Sequence, residues 1–415
     1  MYLIPITVPI FLDGDRPLLA TDWKRALILL RDSLGGRYGP LVVAAPFAPA
    51  AESDQPLEAV GPGHDGIDPL PLFPRDTRLR SYWRGTGQRV ARVIGDRLAG
   101  TQVLHGTVED PLRPFCYRAL MAAARAGVPT ILVQDQDVMA SMRDIGDRRT
   151  LRARLMTEVQ ARAHEVQTRR ATRAADLCLF KGRGTIARYG ALARSLLPIE
   201  DTSYLSHEVV PEPEVRARLA SLVGTARPLR FGFCGRLVHL KGLDRSLRIL
   251  AAARAMGANV GLDIVGTGPE EDRLRALASE LGMQEHVRFA GGMAYGPALI
   301  RRLGQCDALL FNPRMSETPR MFFDAYAAGL PLVADGIDYV LERRDAEGAA
   351  VVLPWHRDDE AAGIVARLDA ERAQLVPLTE RALEARLFHA ADSWYRRRAE
   401  ATHEMVERHL RERAS

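Results

Sequence analysis

The sequence has few cysteines, and none of them forms a recognisable pair. Its four cysteines lie far apart along the 415 residues, without a C-x-x-C motif, at Cys116, Cys178, Cys234 and Cys306. Three of them fall in apolar runs, so we expect buried free thiols rather than disulfides or a zinc site. Free thiols are typical of a reducing compartment, and we therefore predict a cytoplasmic protein.

Long hydrophobic runs and a strong charge excess are also lacking. No stretch approaches the roughly 18 apolar residues of a membrane span. The N-terminal run MYLIPITVPIFL has no basic flank and continues into Asp13, which favours a first strand over a signal peptide. The formal charge of +5 is small for this length and predicts no nucleic-acid partner. It suits an anionic small molecule or a membrane surface equally well.

The remaining composition is that of a globular protein, with 47% hydrophobic and 26% charged residues. The chain is longer than one hydrophobic core usually supports, so we expect two domains. Short apolar runs alternate with amphipathic segments, which indicates parallel strands joined by helices. The sequence therefore predicts an α/β protein with two Rossmann-like, doubly wound parallel sheets.

The alternation weakens between Tyr204 and Pro228, where three prolines interrupt a charged stretch. A long charged amphipathic segment closes the chain. These features predict a first domain, a linker, a second domain and a final helix, with bounds at 1–205, 206–227, 228–385 and 386–415. Because ligands of open parallel sheets bind at the carboxyl ends of the strands, two such domains predict a cleft between them.

The segment FGFCGRLVHLKGLDRSL places two cations in a loop between a predicted strand and a predicted helix. Arg236 and Lys241 flank this loop, and Gly242 opens the helix. Free backbone N–H groups and the helix dipole would add to their charge. Two cations suit a diphosphate better than a single carboxylate. The alternative is that both are solvated loop residues.

A second glycine-containing turn follows the next predicted strand, in LDIVGTGPEEDRL. Gly266 and Gly268 lack the third glycine of a dinucleotide fingerprint, and Pro269 begins the helix instead. A nicotinamide site is therefore not expected. Close approach of a nucleotide to the backbone and a purely structural turn both remain open.

The segment MSETPRMFFDAYAAGLPLVADG predicts a helix over 319–328. Thr318 is the expected N-cap, Pro319 the first helical residue and Gly329 the terminator. Glu317 lies about two helical turns before Asp324, so both acids can face one side. At the carboxyl end of a strand they could accept hydrogen bonds from sugar hydroxyls.

These segments, from Phe233 to Trp355, together resemble the C-terminal half of the retaining glycosyltransferases of family 4, which have the GT-B fold. The resemblance implies transfer of a hexose from a nucleotide diphosphate sugar, a UDP- or GDP-sugar, to a hydroxyl of a glycan or polyprenyl-linked saccharide. It also implies that the final helix crosses back to the first domain. No cofactor is implied, since the nucleotide sugar is a co-substrate.

The resemblance assigns roles to individual residues. Gly235, Arg236 and Lys241 match the family's diphosphate site, and Asp324 matches the acid that binds the ribose. The family spacing places its first acid, which binds the transferred sugar, at Ser316, with Glu317 beside it. We favour Glu317, which with Arg236 and Lys241 forms the expected catalytic set. The expected donor site comprises Gly235, Arg236, Lys241, Gly266, Gly268, Ser316, Glu317, Thr318, Pro319, Arg320, Met321 and Asp324.

The N-terminal half matches the family poorly. Its acceptor-side candidates are Gly14, the only glycine in the expected loop, His105 at a strand end and Asp135 where the family often has a histidine. For His105 a structural role is the alternative. Asp135 and Asp137 also form an Asp-x-Asp pair that could hold a divalent metal. Because Arg236 and Lys241 would neutralise the phosphates, we predict a metal-independent enzyme.

Nine arginines and four acids occupy residues 141–173. Within the predicted helix, 148–173, an apolar stripe is formed by Leu151, Leu155, Val159, Ala163 and Val166. Such a helix normally packs its apolar stripe and exposes the rest. Alternatively, the helix could lie on anionic lipid, which would make the protein peripheral at the inner face of the plasma membrane. Two other functions remain open: a sugar-nucleotide epimerase or hydrolase, and a protein that binds nucleotide sugars without turnover.

Overall fold

A computed structural model describes residues 1–63, 65–134 and 151–414 of the chain, without the side chains of residues 151 and 152. The chain divides into two compact units. The first comprises Met1–Asp201 and Trp394–Ser415, and the second comprises Thr202–Ser393.

The described part of the first unit is built on a ten-stranded sheet with the order β10-β9-β8-β7-β1-β4-β2-β3-β5, in which β6 also pairs with β4. Its strands are β1 Tyr2–Pro5, β2 Ile10–Asp13, β3 Arg16–Ala20, β4 Leu41–Pro49, β5 Leu57–Ala59, β6 Ile67–Pro74, β7 Val103–Thr107, β8 Thr130–Gln134, β9 Leu177–Phe180 and β10 Leu196–Pro198. Its helices of seven or more residues before the second unit include α1 Thr21–Leu34, α2 Gly87–Leu98, α3 Phe115–Ala126, α4 Leu151–Ala174 and α5 Arg183–Tyr189. Buried apolar residues of the sheet form two core clusters. Successive residues of a strand point to opposite faces, so alternate positions belong to different clusters.

The N-terminal run departs from the prediction in two ways. It forms two strands, β1 and β2, rather than one. Strands β2 and β3 form an antiparallel hairpin in which Asp13 faces Arg16, so the sheet is mixed rather than wholly parallel. Gly14 lies in the turn with φ of 60°, a conformation that glycine adopts without a steric penalty. The local Asp-Gly signal for this hairpin is visible in the sequence, but the alternation around it is too short to be decisive.

The second unit contains a six-stranded sheet whose strand pairs are all parallel, in the order β13-β12-β11-β14-β15-β16. The strands are β11 Leu229–Cys234, β12 Val260–Val265, β13 Val287–Phe289, β14 Ala308–Phe311, β15 Leu332–Asp335 and β16 Ala350–Leu353. This is the Rossmann order, which reverses between β11 and β14. Open sheets of this kind bind ligands beside that reversal, at the carboxyl ends of the strands.

Eight helices in the described chain accompany this sheet. They are α6 Glu212–Gly224, α7 Leu243–Ala255, α8 Glu271–Glu280, α9 Pro297–Leu303, α10 Met321–Ala327, α11 Asp338–Glu347, α12 Asp358–Ala370 and α13 Leu375–Phe388. The segment 206–227, which the sequence predicts to be a linker, instead contains α6. This helix packs an apolar face into the core of the second unit through Val215, Leu219 and Leu222. Burial of that face stabilises the helix.

The C-terminal segment forms two helices rather than one, because α13 ends at Phe388 and α14 spans Ala391–Ala414. His389 lies at the break and is only 2% exposed. Its ring centroid is 4.6 Å from that of Phe323 in α10, and its Nε2 is 3.0 Å from Glu347 Oε1. From Trp394 onward α14 belongs to the first unit, where Met405 is buried in the core.

Candidate functional site

The loops after β11 and β12 are packed directly on each other at the carboxyl edge of the second sheet. Gly235 N donates to Val265 O over 2.9 Å, and Leu237 N donates to Thr267 O over 2.9 Å. A Cβ atom on Gly266 would lie 1.9 Å from Gly235 O, and one on Gly268 would lie 2.4 Å from Leu237 O. Both glycines are therefore required by contact between the loops, which favours the structural explanation of this turn.

Gly242 fixes the next part of the β11 loop against the loop after β14. It follows the 3₁₀ turn His239–Lys241, has φ of 64° and precedes α7. A Cβ atom there would lie 1.9 Å from Asn312 O. Arg314 N also donates to Leu240 O over 3.0 Å. The two loops that flank the reversal of strand order are thus held together through their backbones.

The two predicted cations have different surroundings. Arg236 is exposed and forms no ion pair with any residue that the structure describes. Lys241 is partly buried, and its Nζ lies 2.5 Å from Glu317 Oε2 and 5.8 Å from the ring centroid of Phe311. The other carboxylate oxygen, Glu317 Oε1, is buried and has no hydrogen-bond partner within the described residues. Glu317 is thus placed beside a diphosphate-site candidate.

Asp324 is 6% exposed and accepts a 2.7 Å hydrogen bond from the hydroxyl of Tyr295. Burial, with a smaller contribution from the nearby Asp324 carboxylate, raises the pKa of the Cys234 thiol to about 12. The same two causes raise the pKa of Tyr204. Asp324 lies in α10, the helix that follows β14, and β14 is the neighbour of β11 in the sheet.

Tyr295 is not among the residues that the sequence predicts for this site. This residue lies between β13 and α9, within the glycine-containing run GGMAYG at 291–296. An aromatic side chain flanked by glycines at the carboxyl end of a strand is the only local signal. Nothing in the local pattern indicates that its hydroxyl meets Asp324, which lies on a different element.

Helix α10 begins later than predicted, at Met321, with Arg320 as its N-cap residue and no side-chain cap. The prediction that Thr318 caps the helix and that Pro319 is its first residue is therefore wrong. Residues 316–319 are non-helical and turn Glu317 toward Lys241. The prediction for the other end is confirmed, because Gly329 follows the helix with φ of 66°.

The other predicted donor residues line the same loop with different exposure. Ser316 and Arg320 are exposed, Thr318 is half-buried, and Pro319 and Met321 are buried. The guanidinium of Arg320 donates to Ser203 Oγ over 3.2 Å. Ser316 is therefore accessible, whereas Glu317 makes the contact with Lys241.

A buried polar network lies beneath this loop and was not anticipated. The guanidinium of Arg245 donates to Pro313 O over 3.1 Å, to the Asp335 carboxylate and to Asp358 Oδ1 over 2.6 Å. The side-chain amide of Asn312 donates to Asp335 Oδ1 over 2.9 Å. Because these buried groups satisfy one another, they hold the start of the β14 loop in one position.

The acceptor-side candidates of the first unit do not form a comparable site. Gly14 lies in the exposed β2–β3 turn, where a Cβ atom would meet no heavy atom within 4 Å, so its positive φ accounts for it. His105 lies inside β7 rather than at its end, and its Nδ1 is 2.7 Å from the Tyr2 hydroxyl. Burial, with a smaller contribution from Arg398, lowers the pKa of His105 to about 3. Asp135 and Asp137 lie outside the described residues.

Helix α4 exposes the apolar stripe that the sequence predicts to be packed. Leu155, Val159 and Val166 are 60%, 56% and 48% exposed. The buried face instead carries small and polar residues, including His164, whose Nε2 lies 2.8 Å from Val108 O. The packing prediction is therefore wrong, because hydrogen bonding of the polar face to the β7 loop determines which side is buried.

The four cysteines are free, and three of them are buried, as predicted. Within the described ranges no group of three or more His, Cys, Asp or Glu residues is placed to hold a metal ion. No helix in those ranges is long and apolar enough to cross a membrane. Metal independence stays a prediction.

Residues 225–372 match the family model described as "Glycosyl transferases group 1". This stretch contains β11 to β16 together with Arg236, Lys241, Tyr295, Glu317 and Asp324. The match spans 148 of the 415 residues, so the similarity to group 1 glycosyltransferases concerns the second unit.

Curated proteins are similar over part of the chain. The chain is 34% identical over 173 residues to a GDP-mannose-dependent alpha-(1-6)-phosphatidylinositol monomannoside mannosyltransferase of Mycolicibacterium smegmatis, covering 39% of this chain and 44% of that protein. It is 30% identical over 141 residues to the lipopolysaccharide core biosynthesis glycosyltransferase LpsD of Rhizobium meliloti, covering 31% and 38%. The chain thus matches less than half the length of these relatives.

Two solved structures share the fold of the whole chain. Anabaena Alr3699/HepE in complex with UDP superposes with a TM-score of 0.63 at 15% identity, covering 97% of this chain and 99% of that one. WaaG, a glycosyltransferase involved in lipopolysaccharide biosynthesis, superposes with a TM-score of 0.61 at 16% identity and the same coverage. The chain therefore has the two-domain α/β fold of GT-B glycosyltransferases, as predicted.

Proposed function

We propose that this chain, whose residues 225–372 match the family model of group 1 glycosyl transferases, transfers a hexosyl group from a nucleotide diphosphate sugar to an acceptor hydroxyl. The transfer is retaining and independent of metal, as in the family 4 enzymes that the sequence resembles. One observation carries the proposal: Arg236, the Lys241–Glu317 pair and Asp324 all lie on the segments that follow the neighbouring strands β11 and β14.

The cations of the β11 loop would act on the leaving diphosphate. Arg236 is exposed, and Lys241 immediately precedes the N terminus of the 13-residue helix α7. Positive charge and free backbone N–H groups placed at this point stabilise the charge that develops when the bond from sugar to phosphate breaks. Because contacts between the loops hold their backbone, the backbone N–H groups need little reorganisation during the reaction.

The two acids would orient the rest of the donor. Asp324 would accept hydrogen bonds from the ribose hydroxyls, with its carboxylate held by Tyr295. Glu317 would contact the transferred sugar together with the backbone of residues 318–321. No side chain is assigned as general base, because in the retaining family the leaving phosphate takes the acceptor proton.

The relatives support the proposed donor and acceptor classes. One relative is named as a GDP-mannose-dependent phosphatidylinositol monomannoside mannosyltransferase, and another as a lipopolysaccharide core biosynthesis glycosyltransferase. A structure with the same fold was solved in complex with UDP. We therefore propose a UDP- or GDP-sugar donor and a glycan or lipid-linked saccharide acceptor, in glycolipid or polysaccharide biosynthesis. A cytoplasmic location with peripheral contact of α4 to anionic lipid belongs to the same proposal.

The proposal is tested with purified protein, UDP and GDP in calorimetry, followed by turnover of UDP-glucose and GDP-mannose with and without a panel of saccharide acceptors. We expect binding of one nucleoside diphosphate and turnover that requires an acceptor. Turnover without any acceptor would instead indicate an epimerase or hydrolase. Binding without turnover under any acceptor would indicate a protein that only binds nucleotide sugars.

A further inference from the structure

The ion pair between Lys241 and Glu317 joins two residues to which the proposed function gives separate tasks. Lys241 is assigned to the diphosphate and Glu317 to the sugar, yet Nζ lies 2.5 Å from Oε2. Their side chains are 24% and 23% exposed, so both are largely shielded from water. The ammonium charge is therefore already compensated by a carboxylate, and a phosphate oxygen would have to compete with that carboxylate for it.

The backbone around the pair is fixed, so only side chains can rearrange. Gly242 is pressed against Asn312 O, and Arg314 N donates to Leu240 O over 3.0 Å. The guanidinium of Arg245 donates to Pro313 O over 3.1 Å. An exchange of partners at Lys241 therefore requires rotation of its flexible stem and no movement of either loop.

Glu317 has further hydrogen-bonding capacity. Its Oε1 is buried and lacks a partner among the described residues. A buried carboxylate oxygen without a donor is costly, and the cost increases when the ammonium leaves the other oxygen. A sugar hydroxyl placed beside Glu317 would supply the missing donor, whereas a nucleoside diphosphate carries no such group at that position.

We propose that Glu317 makes the site discriminate between a nucleotide sugar and a nucleoside diphosphate. The inference rests on the proposed function and adds a consequence for the two ligands. A diphosphate must draw Lys241 away from Glu317. This requirement weakens the binding of every ligand that carries a nucleoside diphosphate, with or without a sugar. Only the donor offsets this loss, because its sugar hydroxyls donate to the released carboxylate. After transfer, the product has no such hydroxyls, Lys241 returns to Glu317, and release is favoured.

Calorimetry with the variant Glu317→Gln tests this inference. Removing the competing carboxylate should strengthen binding of UDP or GDP by about threefold to tenfold. The same variant should not strengthen binding of the corresponding UDP-glucose or GDP-mannose, so the ratio of the two affinities shifts. Glu317→Ala should act in the same direction. Glu380→Gln is the matched control, since it removes an equal charge from a surface pair with Arg216 and should change neither affinity.

Repeating the measurement in a Lys241→Met background separates partner exchange from simple repulsion. We expect a smaller gain from Glu317→Gln when Lys241 is absent, and an equal or larger gain would overturn the inference. An unchanged or weakened affinity for the nucleoside diphosphate in Glu317→Gln would overturn it while leaving the proposed function in place. If the wild-type protein bound neither UDP nor GDP, the proposed function itself would fail, and the inference with it.

Discussion

At the scale of single residues, Asp324 shows how one carboxylate is prepared for a ligand. It is an aspartate where the family resemblance implies a glutamate, so its carboxylate reaches one methylene less far. The hydroxyl of Tyr295 donates to it over 2.7 Å, and burial limits its other orientations. A charge-assisted hydrogen bond of this kind fixes the direction in which the remaining lone pairs point.

We therefore expect Tyr295→Phe to reduce selection for the ribose. In the wild type, UDP or GDP should bind more tightly than its 2′-deoxy analogue. The variant should reduce this preference, the affinity for the ribonucleotide divided by that for the deoxy analogue, by about fivefold, because the carboxylate loses its fixed orientation. Tyr339→Phe, which removes a hydroxyl elsewhere in the second unit, serves as control. An unchanged ratio, with only a lower melting temperature, would show that Tyr295 is structural.

At the scale of elements, the site depends on a contact between the His239–Lys241 turn and the loop after β14. Gly242 permits this contact in two ways, since it has a positive φ and leaves room for Asn312 O. The buried Arg245 network supports the same loop from below. Local sequence patterns predict the strands on either side, but these close approaches arise only when β11 and β14 become neighbours.

Gly242→Ala should be much more damaging than Gly282→Ala. Both glycines have similar positive φ values, of 64° and 67°, but a Cβ atom meets Asn312 O at 1.9 Å in the first case and nothing within 4 Å in the second. Gly282→Ala should lower the free energy of unfolding by about 1 to 2 kcal/mol, from backbone strain alone. Chemical denaturation should show a clearly larger loss for Gly242→Ala, accompanied by weaker nucleotide binding. Equal losses would contradict the packing argument.

At the scale of the whole molecule, the two units differ in how directly the sequence predicts them. The second unit follows its alternation of strands and helices closely, because its central strands β12, β14 and β15 are continuous buried runs. The first unit is harder to predict, since its β2–β3 hairpin and the exposed stripe of α4 depend on packing between distant elements. The same reason explains the missed pairs: Lys241 with Glu317 and Tyr295 with Asp324 are each brought together by the sheet, not by sequence spacing.

His105 makes the stability of the first unit sensitive to acid. Its pKa falls from an ordinary 6.5 to about 3 on folding, so between these values the unfolded chain binds a proton that the folded chain excludes. The free energy of unfolding should therefore decrease as the pH falls from about 6.5 toward 3, with a slope of at most about 1.4 kcal/mol per pH unit from this group.

Denaturation of His105→Gln across this pH range checks the assignment. Glutamine keeps an acceptor for the Tyr2 hydroxyl but does not titrate, so the dependence of stability on pH should become shallower. His207→Gln is the control, because His207 is exposed. If the two variants showed the same pH dependence as the wild type, the acid sensitivity would have another origin.

We propose above that the β11 loop binds a diphosphate through Arg236 and Lys241. Nucleotide titration of the variant Arg236→Met/Lys241→Met is the sharpest test of this role. Arg344→Met/Arg381→Met is the matched control, since it removes two exposed cations that pair with Asp345 and Glu384 on the surface of the same unit. Loss of affinity for UDP or GDP by at least about tenfold in the first variant, with none in the control, is the predicted result. Wild-type affinity in the first variant, with the fold intact by circular dichroism, would contradict the account.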